Sequence, residues 1–130
     1  MMDDNIIIDW SSKTILIVED DKLNAYVFEN LLKKTKAKTI LAATGEKAVE
    51  MAISLKPDLI LMDIKLPGID GMEATRQIKT FSPNVIIIAQ TAFATESDKE
   101  EILNSGCDDF IAKPIRYEKL IATIGKYFID

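Results

Sequence analysis

The stretch DLILMDIKLPGIDG, residues 58–71, decides the fold. Leu59, Ile60, Leu61 and Met62 run without a polar break and stop at Asp63. Pro67 and Gly68 then shape a loop, and Asp70-Gly71-Met72-Glu73 has the spacing of a helix-opening capping box. An apolar run with no alternation suits a strand covered on both faces, which is the signature of a parallel sheet clothed in helices.

Working outward, the same unit recurs. Apolar, β-branched runs predict strands near 14–19, 38–42, 58–62, 84–90 and 108–112. Helical patterns alternate with them near 22–35, 45–55, 70–80, 95–105 and 115–128. Five such units in succession imply a parallel sheet with helices on both faces. In the first helix Leu23, Val27 and Leu31 repeat at helical spacing and read as its buried stripe. Tyr117, Leu120, Ile121 and Ile124 do the same in the fifth. Thr95 can cap the fourth helix and Gly106 can end it, but only Ile102 and Leu103 offer it much apolar surface. That helix is expected to dock weakly.

The polar residues that end these runs carry the chemistry. Glu19 and Asp20 follow the first strand, Asp63 ends the third, Thr91 follows the fourth and Lys113 the fifth. In a parallel sheet all five emerge at the carboxyl edge, where open α/β folds build their sites. Mg²⁺ takes oxygen ligands and keeps several waters beside one or two carboxylates. Asp20 and Asp63 can supply those carboxylates, Glu19 can reach the ion through water, and the Lys65 carbonyl can add a ligand. A carboxylate can also attack phosphorus to give an aspartyl phosphate, and central Asp63 is the best placed for it. Lys113 and the Thr91 hydroxyl would bind phosphoryl oxygens, since phosphoryl transfer rests on positioning and charge stabilisation. Any one of these residues alone reads as a turn, cap or solvated group. Asp21 fits a helix cap, Asp108 and Asp109 read as loop acids, and only the joint arrangement is informative.

Composition excludes much else. At 130 residues, 48% apolar and 28% charged, the chain is one globular domain. A net charge of −5 argues against a general nucleic-acid surface. No apolar run approaches the ~20 residues of a membrane span, and the acidic start, Met1-Met2-Asp3-Asp4, is unlike a secretory signal. With 0 histidines there is no imidazole base, triad or phosphohistidine within the chain. The lone Cys107 cannot form an internal disulfide and reads as a buried structural thiol, so a reducing cytoplasm is expected. Residues 1–13 fit no helix unit and read as an extension or linker, leaving 14–130 as the domain.

Four segments together resemble the receiver domains of two-component response regulators: ILIVEDD (15–21), DLILMDIKLPGIDGMEATRQIK (58–79), VIIIAQTAFA (85–94) and GCDDFIAKPI (106–115). The resemblance spans roughly Thr14 to Phe128 and implies a flavodoxin-like sheet of order 2-1-3-4-5. It implies that Asp63 is the phosphoacceptor, Glu19 and Asp20 the metal-binding acids, Thr91 the switch hydroxyl and Lys113 the phosphate-binding lysine. Lys113-Pro114 matches a bond commonly cis in the family. Phe110 takes the switch-aromatic position, where Tyr is common, so an outward hydrogen bond is lost while inward movement of the ring is not. Lys65 and Phe93, two residues after Asp63 and Thr91, should border the path of attacking water and tune the phosphate lifetime. The segment styles look most like receivers attached to hybrid sensor kinases.

The resemblance implies a switch that catalyses only its own phosphorylation and dephosphorylation. The donor would be a histidine kinase or phosphotransfer domain, and a downstream phosphotransfer protein or effector the recipient. The moving surface would be the fourth helix, fifth strand and fifth helix. A rival reading is a small Mg²⁺-dependent phosphatase of the haloacid dehalogenase type, but these carry an acid two residues after the nucleophile, where this chain has Lys65. The five glycines form neither GxGxxG nor GxxxxGK[ST], which disfavours nucleotide binding. An interaction module that never takes phosphate is the third reading. Only Ile129 and Asp130 follow the fifth helix, so no DNA-binding effector is expected here, and the chain is expected to be a monomer or weak dimer.

Overall fold

The computed structural model describes residues 8–92 and 95–128. Strand β1 (Thr14–Val18) leads to helix α1 (Lys22–Lys33), and β2 (Lys38–Ala42) to α2 (Gly45–Leu55). Strand β3 (Leu59–Asp63) precedes α3 (Gly71–Phe81), β4 (Ile86–Thr91) precedes α4 (Glu96–Asn104), and β5 (Asp109–Ala112) precedes α5 (Tyr117–Gly125). The strands are all parallel, in the order β2-β1-β3-β4-β5. This is the flavodoxin-like order, and the strands are parallel because each returns through a helix. Among the described residues no helix is long and apolar enough to cross a membrane.

Strand alternation divides the core into two layers. Ile15, Ile17, Leu59, Leu61, Ile88 and Ile111 pack on one face against Phe28 and Leu32 of α1 and Leu120, Ile121 and Ile124 of α5. Leu16, Val18, Ile60, Met62, Ile87 and Ala89 face Ala48 and Ala52 of α2, Ala74 and Ile78 of α3, and Ile102 of α4. Central β3 is buried along its whole length, which its unbroken apolar run requires.

The first helix departs from its expected stripe. Leu23 is 70% and Val27 45% exposed, and only Leu31 of that stripe packs against the core, whereas Ala25, Phe28 and Leu32 are buried. Two apolar stripes, each at a helical spacing, run along α1, and periodicity alone cannot choose between them. Asp21 does cap this helix, accepting from the Leu23 and Asn24 amides at 2.9 and 3.0 Å. At α3 the box is half closed. Asp70 accepts from Glu73 N at 2.9 Å, but the Glu73 carboxylate turns to Arg76 and Gln77 instead of reaching back. Thr95 and Asp98 form a full capping box on α4, whose one buried residue is Ile102. Gly106 follows at φ +110, a left-handed stop suited to glycine.

Asp108 and Asp109 are fastenings, not free loop acids. Asp108 Oδ2 accepts from Lys79 Nζ and from the Ile87 amide, both at 2.8 Å, tying α3 to the entry of β4 and β5. Asp109 accepts from the Tyr127 hydroxyl at 3.1 Å and pairs with Lys126 at 2.7 Å. Cys107 is buried, its thiol near Thr75 and Ser105, and burial pushes its pKa up. Ahead of β1, Trp10 is buried edge-on against Phe128, with ring centres 5.2 Å apart, and its amide donates to Thr35 O at 2.7 Å.

Candidate phosphoryl and metal site

Register builds the site. Val18 pairs with Met62, so Glu19 leaves β1 beside Asp63 of β3, and Asp63 itself pairs with Gln90 of β4. Gln90 pairs with Ile111 of β5, two residues before Lys113. The edge therefore presents Glu19, Asp63 and Gln90 in one row, continuing the layer of Ile17, Leu61 and Ile88 that faces α1 and α5. Lys113 enters from the end of that row through a turn with a cis Lys113-Pro114 bond. The Lys113 amide donates to Thr91 O at 2.7 Å, which anchors the turn to β4.

The acids converge. Glu19, Asp20 and Asp63 each offer a carboxylate oxygen within 4.8 Å of the others. Glu19 and Asp63 are buried, and Asp20 faces solvent. Lys113 Nζ stands 3.5 Å from Asp63 Oδ1 and 3.8 Å from Glu19 Oε1, so one cation answers two buried acids. Asp63 Oδ1 also accepts from the Lys65 amide at 3.3 Å, and Glu19 Oε2 accepts from the Asp21 amide at 3.2 Å. Glu19 Oε1 has no hydrogen-bond partner among the described residues. Burial pushes the Glu19 carboxyl up to about 7, helped by the charge and hydrogen bond of Asp63, while the Asp21 amide and Lys113 oppose the rise.

Thr91 is buried at the same edge but belongs to the opposite layer, following Ile87 and Ala89. It lines a cavity of about 150 Å³ with Ile64, Lys65, Met72 and the α4 residues Asp98, Glu101 and Ile102. Phe110 is half-buried in that layer, and Lys99 of α4 holds its ammonium 5.5 Å from the ring centre. Phe93 lies outside the described residues. Two residues of the site were not singled out from the sequence. Gly71 packs so closely under the end of β3 that a Cβ there would overlap Asp63 O and come within 2.8 Å of Ile64 Cα. The Asp-Gly pair after Pro67-Gly68 was its only signal. Gln90 is buried with neither amide atom hydrogen-bonded among the described residues, and its signal was a lone polar residue inside an apolar strand.

This donor set fits a hard divalent cation. It is all oxygen and tightly spaced, and one buried carboxylate oxygen lacks a partner that an ion or its water would supply. The same three acids, with a lysine ammonium at one side, suit a carboxylate nucleophile whose phosphoryl oxygens need neutralising.

The response regulator receiver domain model matches residues 15–125. Among curated proteins, the polar-differentiation response regulator DivK of Brucella anthropi is 40% identical over 120 residues, covering 91% of this chain and 98% of that protein. Among solved structures, the receiver domain of sensor histidine kinase PA1611 from Pseudomonas aeruginosa has a magnesium ion coordinated in its active site cleft. It superposes with a TM-score of 0.83 at 38% identity, covering 88% of this chain and 96% of that one. The receiver domain of Saccharomyces cerevisiae Ssk1, solved with the histidine phosphotransfer protein Ypd1, gives a TM-score of 0.86 at 32% identity, covering 95% and 91%. Sequence match, strand order and site composition agree, and the chain belongs to the receiver domains of two-component response regulators.

Proposed function

We propose that Asp63 takes a phosphoryl group from a phosphohistidine on a histidine kinase or phosphotransfer protein, and that the chain catalyses this transfer and its hydrolysis itself. The observation that carries this reading is the convergence of Glu19, Asp20 and Asp63 within 4.8 Å, with Lys113 3.5 Å from Asp63. Glu19, Asp20, Asp63 and the Lys65 carbonyl would hold Mg²⁺, which when bound neutralises charge on the phosphoryl oxygens. An Asp63 oxygen forms the new O–P bond while the donor N–P bond breaks, and the electron pair returns to the imidazole nitrogen. Lys113 binds one phosphoryl oxygen. The Thr91 hydroxyl donates to another once it turns toward the acids.

That turn is the switch. Thr91 shares its cavity with α4, and Lys99 of α4 covers Phe110, so drawing Thr91 inward changes the seat of both. The expected output is a population shift across α4, β5 and α5. One buried residue on α4 supports its choice as the moving part. Leu23, Tyr26 and Val27 form an exposed apolar rim on α1, whose neighbouring cleft also contains Glu19 and Lys113. This supports donor approach from the α1 side. Receiver domains pair with histidine kinases or phosphotransfer proteins, and the Ypd1 complex with Ssk1 supports the latter as partner. We assign residues 14–130 to the domain and 1–13 to an extension, in a cytoplasmic setting, as a monomer or weak dimer that does not itself bind nucleic acid. A hybrid kinase is the parent we favour.

Intact mass after incubation with acetyl phosphate and Mg²⁺ tests the reading. One added phosphoryl group, dependent on Mg²⁺ and absent in Asp63→Asn, is expected. Equal phosphorylation of wild type and Asp63→Asn would overturn it.

A further inference from the structure

A cleft of about 500 Å³ lies between α1 and the turn after β5. Val27, Phe28, Pro114 and Ile115 give it apolar walls, and Glu19, Asn24, Gln90 and Lys113 are its polar lining. Gln90 is only 2% exposed, and both its amide nitrogen and its amide oxygen lack hydrogen-bond partners among the described residues. Glu19 Oε1 likewise has no hydrogen bond among the described residues, although Lys113 Nζ stands 3.8 Å from it, and Glu19 lines the same cleft. Buried polar atoms without hydrogen bonds carry a desolvation penalty, so three such atoms around one cavity are not a neutral feature of a core strand. An aliphatic residue at position 90 would remove two of them.

The chemistry of the two groups is complementary. A carboxamide offers a donor and an acceptor together. Its N–H₂ can answer the Glu19 carboxylate, and its oxygen can receive from the Lys113 ammonium, the two charged groups of the row to which Gln90 belongs. Pairing in register sets Gln90 directly beside Asp63, with Glu19 on the far side of Asp63 and Lys113 beyond the neighbouring strand. No other uncharged side chain with both functions is buried in that row.

We propose that Gln90 is a positioning residue of the cation site: its amide N–H donates to Glu19 Oε1 across the cleft through one bridging water and fixes that carboxylate for the ion. The proposal rests on the reading of Glu19, Asp20 and Asp63 as the Mg²⁺ ligands. Groups that orient metal ligands from behind typically change metal affinity 10–100-fold when removed. Water bridges of this kind are nearly as good as direct hydrogen bonds.

The test is Mg²⁺ titration by calorimetry on wild type, Gln90→Met and Gln90→His, with thermal unfolding of each in the absence of Mg²⁺. Methionine keeps the length and fills the space without hydrogen-bonding strongly, and a histidine ring nitrogen restores a donor at the same reach. The expected result is a loss of about tenfold or more in Mg²⁺ affinity for Gln90→Met. Its melting temperature should be unchanged or higher, and Gln90→His should recover most of the affinity. Wild-type affinity in Gln90→Met overturns the proposal and leaves the cation site standing. Weaker binding that tracks a lower melting temperature and is not rescued by histidine also overturns it, as a packing effect. Absence of Mg²⁺ binding by the wild type removes the cation site itself.

Discussion

Lys113 Nζ lies 3.5 Å from Asp63 Oδ1, although the two residues are fifty positions apart in the chain. The contact is long for a charge-assisted hydrogen bond, because the same ammonium is shared with Glu19 at 3.8 Å. Lys113 balances the acids of the apo site and would meet the phosphoryl group of the loaded one. These two duties oppose each other when a cation arrives.

Replacing Lys113 by Met should therefore move two observables in opposite directions. Mg²⁺ binding should tighten several-fold, because a like charge beside the ion is gone. Phosphorylation by acetyl phosphate should slow by about a hundredfold, the order found when a preorganised charge donor is removed. Calorimetry and timed mass spectra check the two arms, and a fall in both would contradict the shared role.

The raised Glu19 carboxyl gives a pH dependence of definite sign. Its ordinary value is 4.5 and burial carries it to about 7 in the folded chain. A group raised on folding adds stability below its unfolded value and loses it as pH rises through its folded value. Without Mg²⁺, Glu19 should therefore lower the melting temperature as pH climbs from 4.5 to 7. Mg²⁺ requires the ionised form, so its affinity should weaken about tenfold from pH 8 to pH 6, with uptake of about one proton by the free protein. A Glu19→Gln variant should flatten both curves, and a wild-type affinity indifferent to pH would count against the assignment.

Gly71 sits where α3 begins, and its amide donates to Ile64 O at 2.9 Å. A methyl group there would push into the carbonyl of Asp63 and the backbone of Ile64. Gly71→Ala should cost about 1–3 kcal/mol by overpacking and should displace the proposed nucleophile at the same time. Denaturant unfolding should show the loss, and the phosphorylation rate should fall in the surviving folded protein. Normal rates with lowered stability would separate the two effects.

Lifetime of the phosphorylated form should respond to two side chains. Bulky Phe93 and cationic Lys65 are proposed to restrict the path of water to the aspartyl phosphate. Phe93→Ala should speed decay several-fold, since in-line attack needs an open approach. Loss of phosphoryl mass with time after removal of the donor measures it, and an unchanged decay rate would dismiss Phe93 from this role.

The five strands and the convergence of Glu19, Asp20, Asp63 and Lys113 were legible from long-period patterning, whereas the strand order came only with the resemblance to receiver domains. Apolar runs fix which segments are strands, and the residue that ends each run must emerge at one edge. The face of α1 that is buried was not legible, since Leu23 and Val27 compete with Ala25, Phe28 and Leu32, all at helical spacings. Asp108 misled for a different reason. Its partners, Lys79 and the Ile87 amide, lie 29 and 21 residues away, so no local pattern announces them. Gln90 shows the third kind of gap: it shares a cleft with Pro114 and Ile115, which only the assembled turn brings beside it.

Trp10 and Phe128, edge to face, stitch the segment before β1 to the residues after α5. Trp10 also holds Thr35 at the entry to β2, which places this seam at the pole opposite the acids. A tether attached ahead of the seam or behind it would thus hang from one end of the molecule while the other end stays open to a visiting donor. Pulling or twisting such a tether would act first on α1 and α5, the two helices that roof the layer containing Glu19, Asp63 and Gln90.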